Sequence, residues 1–152
     1  MKKIWKLVIS ILIPFLASAI GGLFTASSVS TWYVELTKPS FNPPSWIFGP
    51  VWTILYLLMG ISLYLVWIKK YDKPAFVVFG VQLVLNALWS ILFFGLKVPL
   101  YAFIEIVFLW VAILMTIIYF YRINRTSAYL LIPYIIWVSF AAVLNFSIFL
   151  LN

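Results

Sequence analysis

Histidine and cysteine are both missing from the 152 residues, and the acids number three: Glu35, Asp72 and Glu105. Without imidazole or thiolate there is no soft metal site, no Cys-His or Ser-His-Asp nucleophile and no disulfide. Three scattered carboxylates fall short of a Ca²⁺ cage, which takes about six to eight oxygens, so metal-assisted hydrolysis goes with them. No nucleotide-binding or hydrolase motif is present. Charged residues of both signs make up only 9% of the chain while apolar ones reach 66%, against ~25% and ~45–50% in soluble domains. The chain is expected to be a membrane protein, with no room for a separate soluble catalytic domain.

Apolar runs occupy roughly residues 4–26, 46–68, 75–95, 100–121 and 128–150. Each has about the 20 residues needed to cross a hydrocarbon core roughly 30 Å thick. These are spans one to five of a single domain, 1–152, and the expected fold is an all-α, five-transmembrane-helix bundle. Three connections are tight and carry turn chemistry, such as Lys69-Lys70-Tyr71-Asp72-Lys73-Pro74. The exception is residues 27–45, where Ser27, Ser28, Pro39, Asn42, Pro43 and Pro44 preclude a continuing helix. Its aromatics, Trp32, Tyr33 and Phe41, are uncommon in disordered segments, so a long ordered first loop is expected.

The net charge of +7 comes from ten cations that flank the apolar runs. They report membrane orientation and not nucleic-acid binding. Lys2, Lys3, Lys6, Lys69, Lys70, Lys73, Arg122 and Arg125 fall on one side, Lys38 and Lys97 on the other. The positive-inside rule then places the N-terminus in the cytoplasm of a cell-membrane protein, with the first loop and the C-terminus outside. Lys2-Lys3, an apolar run and Ala17-Ser18-Ala19 also have the form of a cleavable signal peptide. The run continues to Ala26, however, and Ala17/Gly21 with Ser18/Gly22 make a small-xxx-small helix-packing pattern, so a retained first span is expected. No internal repeat and no matched pair of Gly/Pro-broken spans, as in many transporters, is found.

Eight tryptophans exceed what interfacial belts require. Trp5, Trp67, Trp32 and Trp46 lie at span ends, but Trp52, Trp89, Trp110 and Trp137 lie inside spans and need partners for their N–H groups. Helical spacing aligns Phe48, Trp52 and Tyr56 on span two. It likewise aligns Gln82, Asn86, Trp89 and Phe93 on span three, and Trp137, Ala141, Leu144 and Asn145 on span five. Any one stripe reads as interhelical packing with amide glue; together they suggest a shared layer. At about 1.5 Å per residue, Trp52 and Trp89 lie ~9 Å below the loop-side ends of their spans, Asn145 and Glu105 ~8 Å, Asn86 ~13 Å, and Trp137 with Gln82 ~20 Å. A mostly apolar cavity with a few polar groups, roofed by the first loop, would suit a flat, greasy, aromatic ligand. Glu105, the only acid inside a span, is either functional or a neutral carboxyl bonded to a neighbouring helix.

Trp32-Tyr33 followed by Lys38-Pro39-Ser40-Phe41-Asn42-Pro43-Pro44-Ser45-Trp46-Ile47-Phe48-Gly49-Pro50-Val51-Trp52-Thr53 resembles the signature of the TspO/MBR family. Members of that family include tryptophan-rich sensory proteins and mitochondrial translocator proteins. The similarity continues through Gln82, Asn86, Trp89-Ser90, Phe93-Phe94, Glu105, Pro133-Tyr134, Trp137, Phe140-Ala141 and Leu144-Asn145, covering essentially the whole chain. The resemblance implies a five-helix bundle, commonly a homodimer, that binds porphyrins such as protoporphyrin IX, and benzodiazepine-type or isoquinoline ligands, under the first loop. No covalent cofactor is implied; porphyrin is the ligand. The implied pocket positions are Tyr33, Pro43, Phe48, Trp52, Tyr56, Asn86, Trp137, Ala141 and Leu144. Some relatives degrade protoporphyrin in light, and Trp52 and Trp137 match the tryptophans implicated, so the resemblance admits an enzyme as well as a receptor or sensor. It also admits a porphyrin or sterol transporter. The C-terminal Leu/Val, Tyr, Lys/Arg pattern tied to sterols in animal relatives is incomplete here, with Phe146 in place of Tyr and no cation after it.

Overall fold

The structure is a computed structural model describing residues 2–152. Five helices are long and apolar enough to cross a membrane: Lys3–Ser28, Ser45–Lys69, Lys73–Gly95, Pro99–Ile123 and Arg125–Leu151. These are the five expected spans, each slightly longer than its apolar run. Apart from Ile123 and Leu151, the added residues are polar or prolines that belong to the helix ends. The Asp72 side chain accepts from Ala75 N at 3.2 Å and caps span three, and Pro74 and Pro99 occupy first-turn positions where no N–H is needed. Asn124 caps span five in the same way, accepting from Ser127 N.

The connection between spans one and two, residues 29–44, is not irregular throughout. It contains a short helix, Trp32–Glu35, and leads into a single 3₁₀ turn, Ser45–Ile47, that starts span two. Asn152 ties the end of span five to this connection: Thr37 N donates to its Oδ1 (3.0 Å) and its Nδ2 donates to Thr37 O (2.8 Å).

Around the bundle the spans run two, one, three, four, five. Span five closes the ring onto span two through its first segment, Arg125–Leu130. There the chain bends at Leu131, ahead of Pro133, before the helix resumes at Ile132. Ser62 Oγ donates to Ser127 O at 2.7 Å across that junction. The eight cations of spans one to five gather at this end, the basic end, and Lys38 and Lys97 at the other, the loop end.

Lipid tails give helices no hydrophobic reason to associate, so close packing must do it. Spans one and two approach closely at Gly60, where an added Cβ would lie 2.8 Å from Ile11 Cα and 3.0 Å from Ser10 O. Pro14 lies one turn beyond Ser10 and lacks the N–H that Ser10 O would otherwise accept, so a small residue opposite suits that stretch. The main apolar core is built around Met59, Leu63, Val66, Phe79, Ile113, Phe120 and Val138. A second cluster at the loop end holds Tyr33, Phe93, Phe94, Ala102, Leu144 and Ile148.

Candidate functional site

A cavity of about 260 Å³ lies between spans one, two, three and five and beneath the 29–44 connection. Three of its residues were aligned by spacing on span two: Phe48, Trp52 and Tyr56. Span five contributes Trp137, Ala141 and Leu144, span three contributes Asn86, and the connection contributes Tyr33. The fold therefore brings eight of the nine expected positions to one void. Pro43 is not on the wall. It stands behind it: Asn42 accepts from Tyr33 Oη at 2.9 Å and donates through Nδ2 to Pro43 O at 3.3 Å.

The walls are mostly aromatic. Phe48 and Trp137 are in edge-on contact on the wall with centroids 6.2 Å apart, and Trp52 lies 5.6 Å from Tyr56 and 6.2 Å from Tyr134. Trp137 is thus much nearer the loop end than helical rise alone suggested. Span five runs on until Asn152 pairs with Thr37 of the connection, so depth counted from its last residue overstates how far Trp137 lies from the Phe48 layer. Trp137 Nε1 is buried without a hydrogen-bond partner among the described residues. Such groups are rare enough in folded proteins to need a reason.

The polar groups form two sets. In the first, Tyr56 Oη donates to Asn86 Oδ1 (2.6 Å), Asn86 Nδ2 donates to Tyr134 Oη (2.7 Å), and Tyr134 Oη donates to Gln82 Oε1 (2.7 Å). Asn86 is therefore a strut between spans two, three and five as well as a wall residue. Gln82 lies off the cavity at the far end of this chain, so only the loop-end part of the span-three stripe faces the void. In the second set, Trp89 Nε1 donates to Asn145 Oδ1 (2.9 Å) and Asn145 Nδ2 to Pro99 O (2.9 Å). Trp110, by contrast, is outside the cavity and donates to Ser139 Oγ at 2.9 Å. Glu105 is also apart from the cavity; both of its carboxyl oxygens are buried with no hydrogen-bond partner among the described residues.

The roof is the Tyr33 ring, 2% exposed. It packs 5.7 Å from Phe94, 6.3 Å from Phe93 and 6.4 Å from Phe48. Burial pushes its phenol above the usual tyrosine value, opposed in part by the bond to Asn42. Lys38 Nζ sits 4.9 Å from the Tyr33 ring centre, donating to Leu36 O (3.1 Å) and Val34 O (3.4 Å). Phe93 and Phe94 both line the cavity from the π-turn, Ile91–Gly95, that ends span three and inserts an extra residue. Ser28 Oγ donates to the Phe94 carbonyl at 2.6 Å.

Two contributions were not visible in the sequence as site residues. One is the π-turn, which has no sequence signal of its own. The other is span one, whose Ser18, Gly22 and Thr25 line the cavity. Their small size reads as a packing motif, and half of that reading holds. Gly21 packs on Ser90, whose Oγ would be 3.1 Å from an added Cβ, while Gly22 has nothing within 4 Å of that position. Gly49, opposite on span two, is equally open.

Comparison with known proteins agrees with this architecture. The sequence model of the TspO/MBR family matches residues 10–151. The chain is 49% identical over 152 residues to the tryptophan-rich protein TspO of Archaeoglobus fulgidus, covering 99% of each. It is 43% identical over 155 residues to the protein of the same name in Chlorobaculum tepidum, covering 99% of this chain and 98% of the other. Similarity to the human translocator protein is 35% over 142 residues, 90% of this chain and 84% of the human one.

Proposed function

The chain belongs to the TspO/MBR family of membrane proteins, and from that premise we propose that it is a receptor or sensor that binds protoporphyrin IX or a similarly flat, hydrophobic tetrapyrrole in the cavity beneath Tyr33. The observation that carries this reading is the convergence of Phe48, Trp52, Trp137 and Tyr33 on one void. Aromatic faces stack on a conjugated macrocycle and contribute about 0.5–1.5 kcal/mol each beyond area burial. With no His or Cys in the chain, the macrocycle is held by stacking and not by axial ligation. At about 260 Å³ the cavity, part-open to the surface past exposed Gly22, Gly49 and Thr53, is slightly below the roughly 300 Å³ at which small-molecule pockets begin. A macrocycle therefore needs the walls to part, and in this reading Tyr33 lifts off Phe93 and Phe94 to admit it, with Lys38 beside that ring offering a cation to its carboxylates.

The test is a protoporphyrin IX titration of the purified protein, followed by tryptophan quenching and the Soret band. Saturable binding is expected. It should weaken several-fold or more in Trp52→Leu and Trp137→Leu and change little in Trp110→Leu. Equal effects at all three positions, in variants that still elute as folded protein, would overturn the assignment of the cavity.

A second reading, light-driven porphyrin oxidation, is favoured by one feature: Trp52, on the wall, touches Tyr56 and Tyr134 within the hydrogen-bonded chain, a group of oxidisable side chains beside the ligand. Illumination of the complex separates the two readings, since only the enzyme forms product at a rate that Trp52→Leu or Trp137→Leu slows. As part of the same proposal, the protein is a homodimer in the cell membrane, with its basic end and N-terminus in the cytoplasm. The eight-to-two division of cations supports this orientation.

A further inference from the structure

A second concavity, of about 530 Å³, opens at the basic end, far from Tyr33. It is lined by Lys69 and Lys70 from the end of span two, Asp72 and Pro74 from the start of span three, and Arg122 with Tyr119 from the end of span four. The only ion pair among the described residues is Lys70 to Asp72, at 3.8 Å. Asp72 is also engaged as the cap of span three. The other two acids of the chain are elsewhere, Glu35 in the 29–44 connection and Glu105 inside span four. No carboxylate of this protein is left to balance Lys69 and Arg122, so the concavity carries an uncompensated double positive charge.

Arg122 is held in place as well as charged. Its guanidinium lies 5.6 Å from the Tyr119 ring centre, an arrangement that fixes the planar fork and leaves its edge for an anion. Below it, Ile118 and Met115, four and seven residues earlier on span four, share its helical face and are exposed. Val77, four residues after Lys73 on span three, is also exposed. Cations at the mouth with apolar helix surface beneath match an amphiphile whose anionic end lies where the helices leave the membrane.

We propose that Lys69, Lys70 and Arg122 form a binding site for the phosphate of an anionic phospholipid headgroup, with the acyl chains against Ile118, Met115 and Val77. Basic recesses between transmembrane helices are suited to such headgroups, and arginine matches phosphate oxygens bidentately. The site is separate from the porphyrin cavity and does not depend on that reading.

Native mass spectrometry of the detergent-purified full chain, titrated with phosphatidylglycerol or phosphatidylcholine, tests this. Preferential retention of phosphatidylglycerol is expected. A cation at a membrane surface contributes about fivefold to anionic-lipid affinity, so the Lys69→Gln/Arg122→Gln double variant should lose roughly tenfold or more. The Lys3→Gln/Arg125→Gln variant removes the same charge from the same end outside the concavity and should lose less than about threefold. Equal losses in the two double variants would reduce the effect to general surface attraction and overturn the site. Equal retention of the two lipids by the unaltered protein would overturn it too. Displacement of phosphatidylglycerol by millimolar inorganic phosphate would identify a soluble anion as the occupant and overturn the lipid assignment. Circular dichroism and gel filtration of each variant confirm that folding is intact.

Discussion

Trp89 and Asn145 are joined across spans three and five by an indole N–H donated to the amide oxygen at 2.9 Å, and the same amide donates to Pro99 O at the start of span four. One asparagine thus secures three helices at the loop end, beside the cavity that both residues line. Replacing it by leucine leaves the part-buried Trp89 N–H without a partner and removes the tie to Pro99 O, which keeps only its place in the span-four helix. Asn145→Leu should cost about 1–2 kcal/mol, read as a lower melting temperature in detergent. Adding Trp89→Phe removes the orphaned donor, so the double variant should lose less than the sum of the single changes. Strict additivity would mean that the bond does not couple the spans.

Tyr33 is held down by Asn42 through a single 2.9 Å bond, worth about 0.5–1.5 kcal/mol. Tyr33→Phe keeps the ring and removes that restraint, so protoporphyrin association and dissociation should both quicken by roughly twofold to tenfold, with the equilibrium constant changing less. Stopped-flow quenching measures this, and unchanged rates would remove Tyr33 from the entry step. Burial raises the phenol above its ordinary value of 10.0, so the donor stays protonated and the rates are flat between pH 6 and about 9. The folded state binds this proton more tightly than the unfolded chain does, so its stabilising contribution is full below pH ~10 and declines as pH rises beyond that.

The spans could be placed from composition because an apolar run of membrane length has few other uses, and Pro74, Asp72 and Pro99 then explain the extra residues at their ends. The stripe of Phe48, Trp52 and Tyr56 could be read because the α-helix repeats faithfully over eight residues. That logic fails where the helix is not α. Phe93 and Phe94 both line the cavity from within the π-turn, whose extra residue shifts the register that four-residue spacing assumes. It fails again for Gly22, because glycine has no side chain to signal whether it makes room for a helix or for a ligand. Asn86 was legible as buried and polar, but its commitment to Tyr56 and Tyr134 depends on span five, more than forty residues away in sequence.

Gly60 is a close approach of spans one and two, with backbone as the obstacle: Ile11 Cα at 2.8 Å from the missing Cβ. Helix backbones cannot yield as a flexible side chain can, so Gly60→Ala should force the pair apart at a cost of about 1–3 kcal/mol. Gly80, on span three, meets nothing within 4 Å, and Gly80→Ala should be neutral or slightly stabilising. Thermal melting of the two variants in the same detergent makes the comparison, and equal shifts would contradict the packing.

Lys97 has φ of 59° in the turn between spans three and four, the single non-glycine residue with positive φ among those described. A side chain there costs about 1 kcal/mol relative to glycine, from the contact of Cβ with the backbone. Lys97→Gly removes that contact at the expense of more freedom in the unfolded chain, and should raise the melting temperature by a few degrees or leave it unchanged. A clear fall would show that the Lys97 side chain contributes more than its backbone geometry costs.

Gly22 separates ligand binding from stability. It lines the cavity, and a Cβ built on it meets nothing within 4 Å, so a larger side chain there enters open space without displacing another helix. Glycine inside a helix is also less favourable than an ordinary side chain by roughly 0.5–1 kcal/mol. Gly22→Leu should therefore leave the melting temperature unchanged or raise it, while filling part of a cavity that has only about 260 Å³. A branched side chain in that volume obstructs a rigid macrocycle, which cannot bend around it, so protoporphyrin affinity should fall by about tenfold or more. Gly21, one residue earlier, also lines the cavity but faces Ser90 at 3.1 Å, and Gly21→Leu should differ by destabilising the bundle as well as obstructing the ligand. A Gly22→Leu protein that melts early would place that face in helix packing. One that binds protoporphyrin as tightly as the unaltered chain would place the ligand elsewhere.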